Sequence, residues 1–142
     1  MTGEAGVAEK IMTHRDMKVW QSAMAVAMRV YEITKSLPAE ERYSLVDQIR
    51  RSSRSVAANI AEAWGRRRYQ AAFVNKLNEA ECEAYETQTW IEFCLRCNYV
   101  SAETAKELDA EYRHIISRLV VIITNPEKWI LGGAQVTGKT KA

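Results

Sequence analysis

Three short runs in the chain carry residue types that could do chemistry. GAQVTGKT, Gly133 to Thr140, matches the phosphate-loop pattern G-x-x-x-x-G-K-[ST]. In such a loop the backbone N–H groups and a helix N-terminus converge on nucleotide phosphates. Cys94-Leu95-Arg96-Cys97 has the C-x-x-C spacing of zinc and redox sites. Glu111-Tyr112-Arg113-His114 spells E-x-x-H, one half of a di-iron motif in helical bundles. Each run works only if other elements supply the rest of the site.

Those supports are missing from the pattern. A phosphate loop needs a strand before it and a helix after it. Here the preceding segment reads as a helix stopped at Asn125-Pro126, and only Lys141 and Ala142 stand beyond Thr140. No nucleotide is expected at Gly133–Thr140. A structural zinc site needs a second pair of ligands, and only Cys82, His14 and His114 are left. Three cysteines are an odd number, which argues against a disulfide framework. They are expected as buried or half-buried free thiols. A di-iron bundle needs two E-x-x-H motifs, but His14, the other histidine, precedes the first helix. His114 is therefore expected at the surface. Ser52, Ser53 and Ser55 have no histidine at helical spacing to activate them. The sequence predicts a protein that is not an enzyme, with no catalytic residue, metal or cofactor.

The elements behind these runs are helical. At 142 residues, 47% apolar and 27% charged, the chain suits one soluble domain with its own core. No apolar run approaches the roughly 20 residues of a membrane span. The first ten residues have no apolar stretch of signal-peptide type, so the expected location is the cytoplasm. Apolar residues recur at helical spacing in four segments. The first, about Asp16 to Ser36, aligns Trp20, Ala23, Ala27, Val30 and Thr34, and Pro38 breaks the pattern. The second, about Glu41 to Arg67, aligns Val46, Ile49, Ser53, Val56, Ile60 and Ala63. The third, about Tyr69 to Asn98, aligns Phe73, Leu77, Ala80, Ala84, Thr87, Ile91 and Cys94. Ser101 reads as the N-cap of the fourth, whose stripe is Ala105, Leu108, Tyr112, Ile115, Leu119 and Ile122. Short connections between long helices favour antiparallel neighbours. The expected fold is all-α, an antiparallel up-down four-helix bundle over residues 14–130. Residues 1–13 and 131–142 are expected to be disordered tails.

A second pattern lies on the second helix. Gln48, Arg51, Ser55, Asn59, Glu62 and Arg66 are spaced 3, 4, 4, 3, 4. At about 100° per residue they fall within roughly 80° of arc, away from the apolar side. Arg50 and Arg54 flank this line, and Arg66-Arg67-Arg68 closes the segment. A solvated face usually carries Lys and Glu; Gln, Ser, Asn and Arg suit a contact surface better. The third segment supplies an acidic counterpart, Glu79, Glu83 and Glu86. Residues 69–112 carry three basic and nine acidic side chains, whereas residues 39–68 carry seven basic and four acidic. Stripes of opposite sign can meet within one bundle or between copies, and a head-to-tail contact closes rings.

The same residues resemble a known family. Asp16-Met17-Lys18-Val19-Trp20 resembles the D-L-x-V-W opening of the bacterial four helix bundle proteins, also called 23S rRNA intervening-sequence proteins. Leu37-Pro38-Ala39-Glu40-Glu41 matches the family's P-x-x-E loop. Gln48 through Glu62, QIRRSSRSVAANIAE, matches Q-[IL]-R-R-A-x-x-S-[IV]-x-x-N-I-A-E-G. The resemblance covers about residues 14–130. Ala63 departs from the usual Gly, Glu81-Cys82 stands where small residues are common, and Tyr85-Glu86 where Glu-Leu is usual. It implies a helical subunit similar to those of ring-shaped homopentamers. It also implies kinship with accessory proteins of diversity-generating retroelements, which associate with a reverse transcriptase and bind nucleic acid.

Two functions are expected on these grounds. In the first, the chain is a homo-oligomeric scaffold or adaptor, pentameric by the resemblance, with Gln48, Arg51, Ser55, Asn59, Glu62, Glu79, Glu83 and Glu86 in contacts. In the second, it binds RNA through Arg50, Arg51, Arg54, Arg66, Arg67 and Arg68, or partners a nucleic-acid enzyme. Trp64 and Tyr69 could then stack on bases, although burial in a core or interface is the favoured role for them. A net charge of +2 and an acidic third segment favour the scaffold.

Overall fold

A computed structural model describes residues 10–132. Among them are four α-helices: α1 (Lys18–Thr34), α2 (Leu45–Trp64), α3 (Gln70–Arg96) and α4 (Ala102–Thr124). Short 3-10 turns sit before α1, between α1 and α2, and after α4. No strand occurs among the described residues. Each helix packs on its chain neighbour, and α4 closes on α1, so the four stand at the corners of a square. Neighbours run antiparallel: Thr87 meets Ser52, Lys76 meets Glu62, and Arg29 meets both Glu107 and Glu111. The four apolar stripes form the core. Every stripe residue is buried except Trp20 and Ile122, which are half-buried. Fully burying a side chain such as Ile60, Phe73, Leu77 or Leu119 contributes about 2 kcal/mol. Ala63 is wholly enclosed, so the core holds a methyl group at that position.

The helix ends follow local chemistry. Thr13 opens the first 3-10 turn with a capping box: its hydroxyl accepts from Arg15 N, while Asp16 accepts from Met12 N and Thr13 N. These two backbone donors hold the Asp16 carboxyl below its ordinary value. Order therefore begins before residue 14, with Ile11 already packed on the core. Pro38 opens a 3-10 turn, Ala39–Glu41, and α2 starts only at Leu45, four residues later than the spacing predicts. Pro38 fixes the extended entry, and the Glu41 carboxylate accepts from Leu45 N in place of a Ser44 cap. At its other end α2 stops at Trp64, so Arg66, Arg67 and Arg68 lie in the turn to α3 rather than on the helix.

The last two helices end just as locally. Asn98, with φ 63°, takes the left-handed position after α3; Tyr99 N donates to Cys94 O and Asn98 N to Leu95 O. That is the Schellman arrangement, which satisfies the last carbonyls of the helix. Ser101 caps α4 by accepting from Thr104 N. Beyond Asn125-Pro126 the chain turns back, and Leu131 N donates to Arg67 O at 2.9 Å. The bundle thus reaches past residue 130, where a tail was expected. Gly133–Thr140 lies outside the described residues.

One polar layer crosses the core. The Thr87 hydroxyl shares its one proton between Ser52 Oγ (2.7 Å) and the Glu83 carbonyl (2.8 Å). Tyr112 is fully buried near Thr87 and Ser53, its hydroxyl makes no hydrogen bond among the described residues, and burial pushes its ionisation far up. Removing one member leaves the other only its bond within its own helix, Ser52 to Ile49 O or Thr87 to Glu83 O, whereas removing both is milder. Thr87→Val is expected to cost about 1–3 kcal/mol in urea unfolding, and Ser52→Ala/Thr87→Val to cost less than the single change.

Candidate contact surfaces

The two polar stripes of α2 and α3 face one another across the seam between these helices. Lys76 on α3 is the clamp: its ammonium reaches Glu62 at 2.8 Å and Glu79 at 3.1 Å. It also donates to Asn59 Oδ1 at 3.5 Å. The Asn59 amide donates in turn to Ser55 O and Ser55 Oγ, at 2.9 and 3.0 Å. Hydrogen bonding to Lys76 holds the Glu62 carboxyl below its ordinary value, and the same bonds raise Lys76. Glu83 is different. Burial, then the charge of Glu86, pushes its carboxyl up, while Arg51 and the Ser55 hydroxyl hold it down in part. Glu86 itself accepts from Trp90 Nε1 at 3.2 Å. Of the α2 line, Asn59 is buried, Gln48 and Ser55 are half-buried, and Arg51 and Glu62 are exposed. The seam therefore occupies Ser55, Asn59, Glu62, Glu79 and Glu83 within a single chain, and Gln48 has no recorded side-chain partner in it.

The arginines divide between two regions. Arg50 and Arg54 turn toward α1, with their guanidinium carbons 4.7 and 5.9 Å from the ring centre of Tyr31. Arg50 also donates to Thr34 Oγ1 at 2.8 Å. Arg67 lies flat on Trp64, 3.4 Å from its ring centre, and donates to Trp64 O. Its burial lowers the guanidinium pKa. Arg66 and Arg68 are exposed, as is Tyr69, whose relative exposure of 67% places it outside the core of the single chain. Trp64 is half-buried. Arg67, Trp64, Lys128, Trp129 and Ile11 line one cleft at this end of the bundle.

A family model for the 23S rRNA-intervening sequence protein matches residues 15–121. The chain belongs to this family. A solved structure agrees: a protein of unknown function from the S23 ribosomal protein family of Bacteroides thetaiotaomicron. It shares 34% sequence identity with this chain at a TM-score of 0.68, over 75% of this chain and 95% of that one. No curated protein matches the chain. The run Gln48–Glu62 that resembles the family motif falls on α2, where Ser55, Asn59 and Glu62 build the seam and Arg50 and Arg54 the Tyr31 stack.

The runs with catalytic lettering sit elsewhere. Glu111 is tied to Arg29 at 2.6 Å, and His114 is exposed. Among the described residues no group of His, Cys, Asp and Glu could hold a metal ion. Cys94 is buried and its thiol is pushed up to about 11, chiefly by burial, so it stays protonated at neutral pH and is a poor ligand. Cys82 and Cys97 are free but exposed, which corrects their expected burial. Both sit off the apolar stripe, Cys82 on the solvent side of α3 and Cys97 at its end. No helix among the described residues is long and apolar enough to cross a membrane.

One surface escaped the periodicity. Tyr85, Thr89 and Phe93 line the side of α3 opposite its core stripe, and Tyr85 and Phe93 are each 50% exposed. Their four-residue spacing was visible, but a search for one apolar stripe per helix assigns α3 to the core and stops.

The raised Glu83 carboxyl predicts a pH dependence. The folded state holds this proton more tightly than the unfolded chain, so stability is lost as pH rises from about 4 through the raised value. Glu83→Gln is expected to raise the melting midpoint at pH 7, and the gain should vanish near about pH 4. Thermal unfolding across that pH range checks it.

Proposed function

We propose that the chain is a non-enzymatic, homo-oligomeric scaffold or adaptor, a ring of five copies by its resemblance to ring-forming subunits. One observation carries the reading: α3 holds a second, outward line of aromatic residues, Tyr85 and Phe93, while its inner side is already committed to the core. Met24 and Met28 on α1 and Val121 on α4 add further exposed apolar area. Scattered apolar residues need no explanation, but aligned aromatic ones on a helix suit burial against a partner. The α2–α3 seam supplies rim polarity beside this line, with Glu86 joined to Trp90. Light scattering on the purified protein should give one defined mass, with five subunits expected. A single-chain mass at micromolar concentration overturns the reading.

A second reading, RNA binding, rests on a separate observation. Arg66, Arg68 and Tyr69 are exposed together in the α2–α3 turn, beside the cleft that Arg67 shares with Lys128. Arginines beside an exposed tyrosine suit phosphates and stacked bases. Arg50 and Arg54 contribute less, since Tyr31 already engages them. Anisotropy with a structured RNA should lose affinity steeply as salt rises, and Arg66→Glu/Arg68→Glu should abolish binding. Absence of wild-type binding at low salt removes this reading.

A further inference from the structure

The α1–α4 side of the bundle is its most open face. α1 and α4 touch least of the four neighbouring pairs, and clefts run along the groove between them. The middle cleft, about 430 Å³, is lined by Ser22, Ala25, Ala110, Glu111, His114 and Ile115. Small residues on both helices leave room there for a bulky side chain. The next cleft is bordered by Ala25, Met28, Arg29, Glu32, Ile33 and Thr104. Toward the start of α1 the groove is cationic, with Lys18, Arg118 and Lys128 around a third cleft. Toward the end of α1 it is acidic, with Glu32 and Glu107.

The outward line of α3 has the complementary form. Cys82, Tyr85, Thr89, Phe93 and Arg96 are all exposed and are spaced 3, 4, 4, 3, a ridge of the kind that packs into helical grooves. Its first half is flanked by acidic side chains, Glu81 and Glu86, and its last residue is Arg96. Residues 82 to 96 span about 21 Å, and residues 18 to 32 of α1 span the same about 21 Å. Only one direction satisfies the charges. The acidic start of the ridge must lie at Lys18, Arg118 and Lys128, and Arg96 at Glu32, since Glu107 is already held by Arg29.

We infer that the α3 ridge of one copy seats in the α1–α4 groove of the next, parallel to its α1, with Tyr85 in the Ser22–Ala25–Ala110 cleft and Phe93 beside Arg29. The inference rests on the oligomeric reading above and specifies its interface. Within one chain α3 also runs parallel to α1, so this docking keeps both copies the same way up. Copies related by rotation about an axis along the bundle share that property. The ridge and the groove are different surfaces, so the contact is head-to-tail, and such a contact makes a ring where its rotation closes and an open filament where it does not. The pairs Arg96–Glu92 and Lys35–Glu32 are surface contacts, weakly held and free to exchange on docking.

A complementation experiment tests this. Tyr85→Glu/Phe93→Glu spoils only the ridge, and Ala25→Glu/Ala110→Glu only the groove; all four positions are exposed. Each variant alone should scatter as a monomer with wild-type helicity and a cooperative melt, lower than that of the wild type by the stabilisation that assembly supplies. Mixed in equal amounts they should form a dimer and nothing larger, because one intact ridge meets one intact groove. An oligomeric wild type whose ridge variant keeps the wild-type mass overturns this interface and leaves the oligomeric reading standing. So does a mixture of two folded variants that stays monomeric. A monomeric wild type overturns both. For direction, Lys18→Cys/Cys97→Ser should cross-link between copies through Cys82 on mild oxidation, and an assembled oligomer without that cross-link overturns the parallel register.

Discussion

The buried hydrogen bond between Thr87 and Ser52 is the directional constraint on which the register of α3 against α2 depends. Apolar side chains alone fill a core in several registers, since hydrophobic burial has no direction. A buried hydroxyl does have one, and leaving it unpaired costs about 1–3 kcal/mol. Sliding α3 along α2 by one turn would break the Thr87–Ser52 bond and leave each hydroxyl only the bond to its own helix. Fixing that contact sets everything along the seam. With Thr87 opposite Ser52, Lys76 falls three turns away beside Glu62, and Glu83 falls beside Arg51 and Ser55. The seam is a consequence of the register as much as a support for it.

The seam also changes what its charges can do. Salt bridges at half-exposed positions are weak one by one, yet Lys76 binds two carboxylates and an amide and so removes them from other uses. Glu83 is the exception, a carboxyl held up by burial next to Glu86. A structure that tolerates such a group keeps a local electrostatic cost at its surface, beside an exposed aromatic line. The α1–α4 side is held differently, by Arg29 reaching Glu107 and Glu111 across a groove of small residues. Long side chains span that gap where packing does not, which is why the face stays open.

Much of the fold was legible because each helix has one clear inner stripe. Val46, Ile49, Ser53, Val56, Ile60 and Ala63 repeat by sevens, and all are buried. The ends were read less well. Pro38 and the turn after it delay α2, and the chain leaves the helix at Gly65, so Arg66, the last member of the polar line, and the two arginines after it lie off the helix. Spacing gives an angle around a helix but not the identity of the neighbour. It placed Asn59 and Glu79 on polar faces, and only packing brings them together on Lys76. The outward line on α3 was missed for the opposite reason. Its residues were in plain view, but Tyr85 and Phe93 share a helix with a stronger stripe, and averaging over both faces hides the weaker one.

The charge arrangement joins the two functional readings. Arg66, Arg67, Arg68, Lys18, Arg118 and Lys128 gather at one end of the bundle, where α1 begins and α2 and α4 end. Glu32, Glu40, Glu41, Glu103 and Glu107 gather at the other. In a single chain of net charge +2 that polarity is a modest dipole. In a ring whose copies all point the same way it is multiplied, because every basic end lies on one rim. Counterion release scales with the number of phosphates neutralised, so a rim can hold a nucleic acid that one subunit binds poorly. Opposed copies would cancel the effect. In any such assembly the direction of the subunits would decide whether the arginines act together or alone.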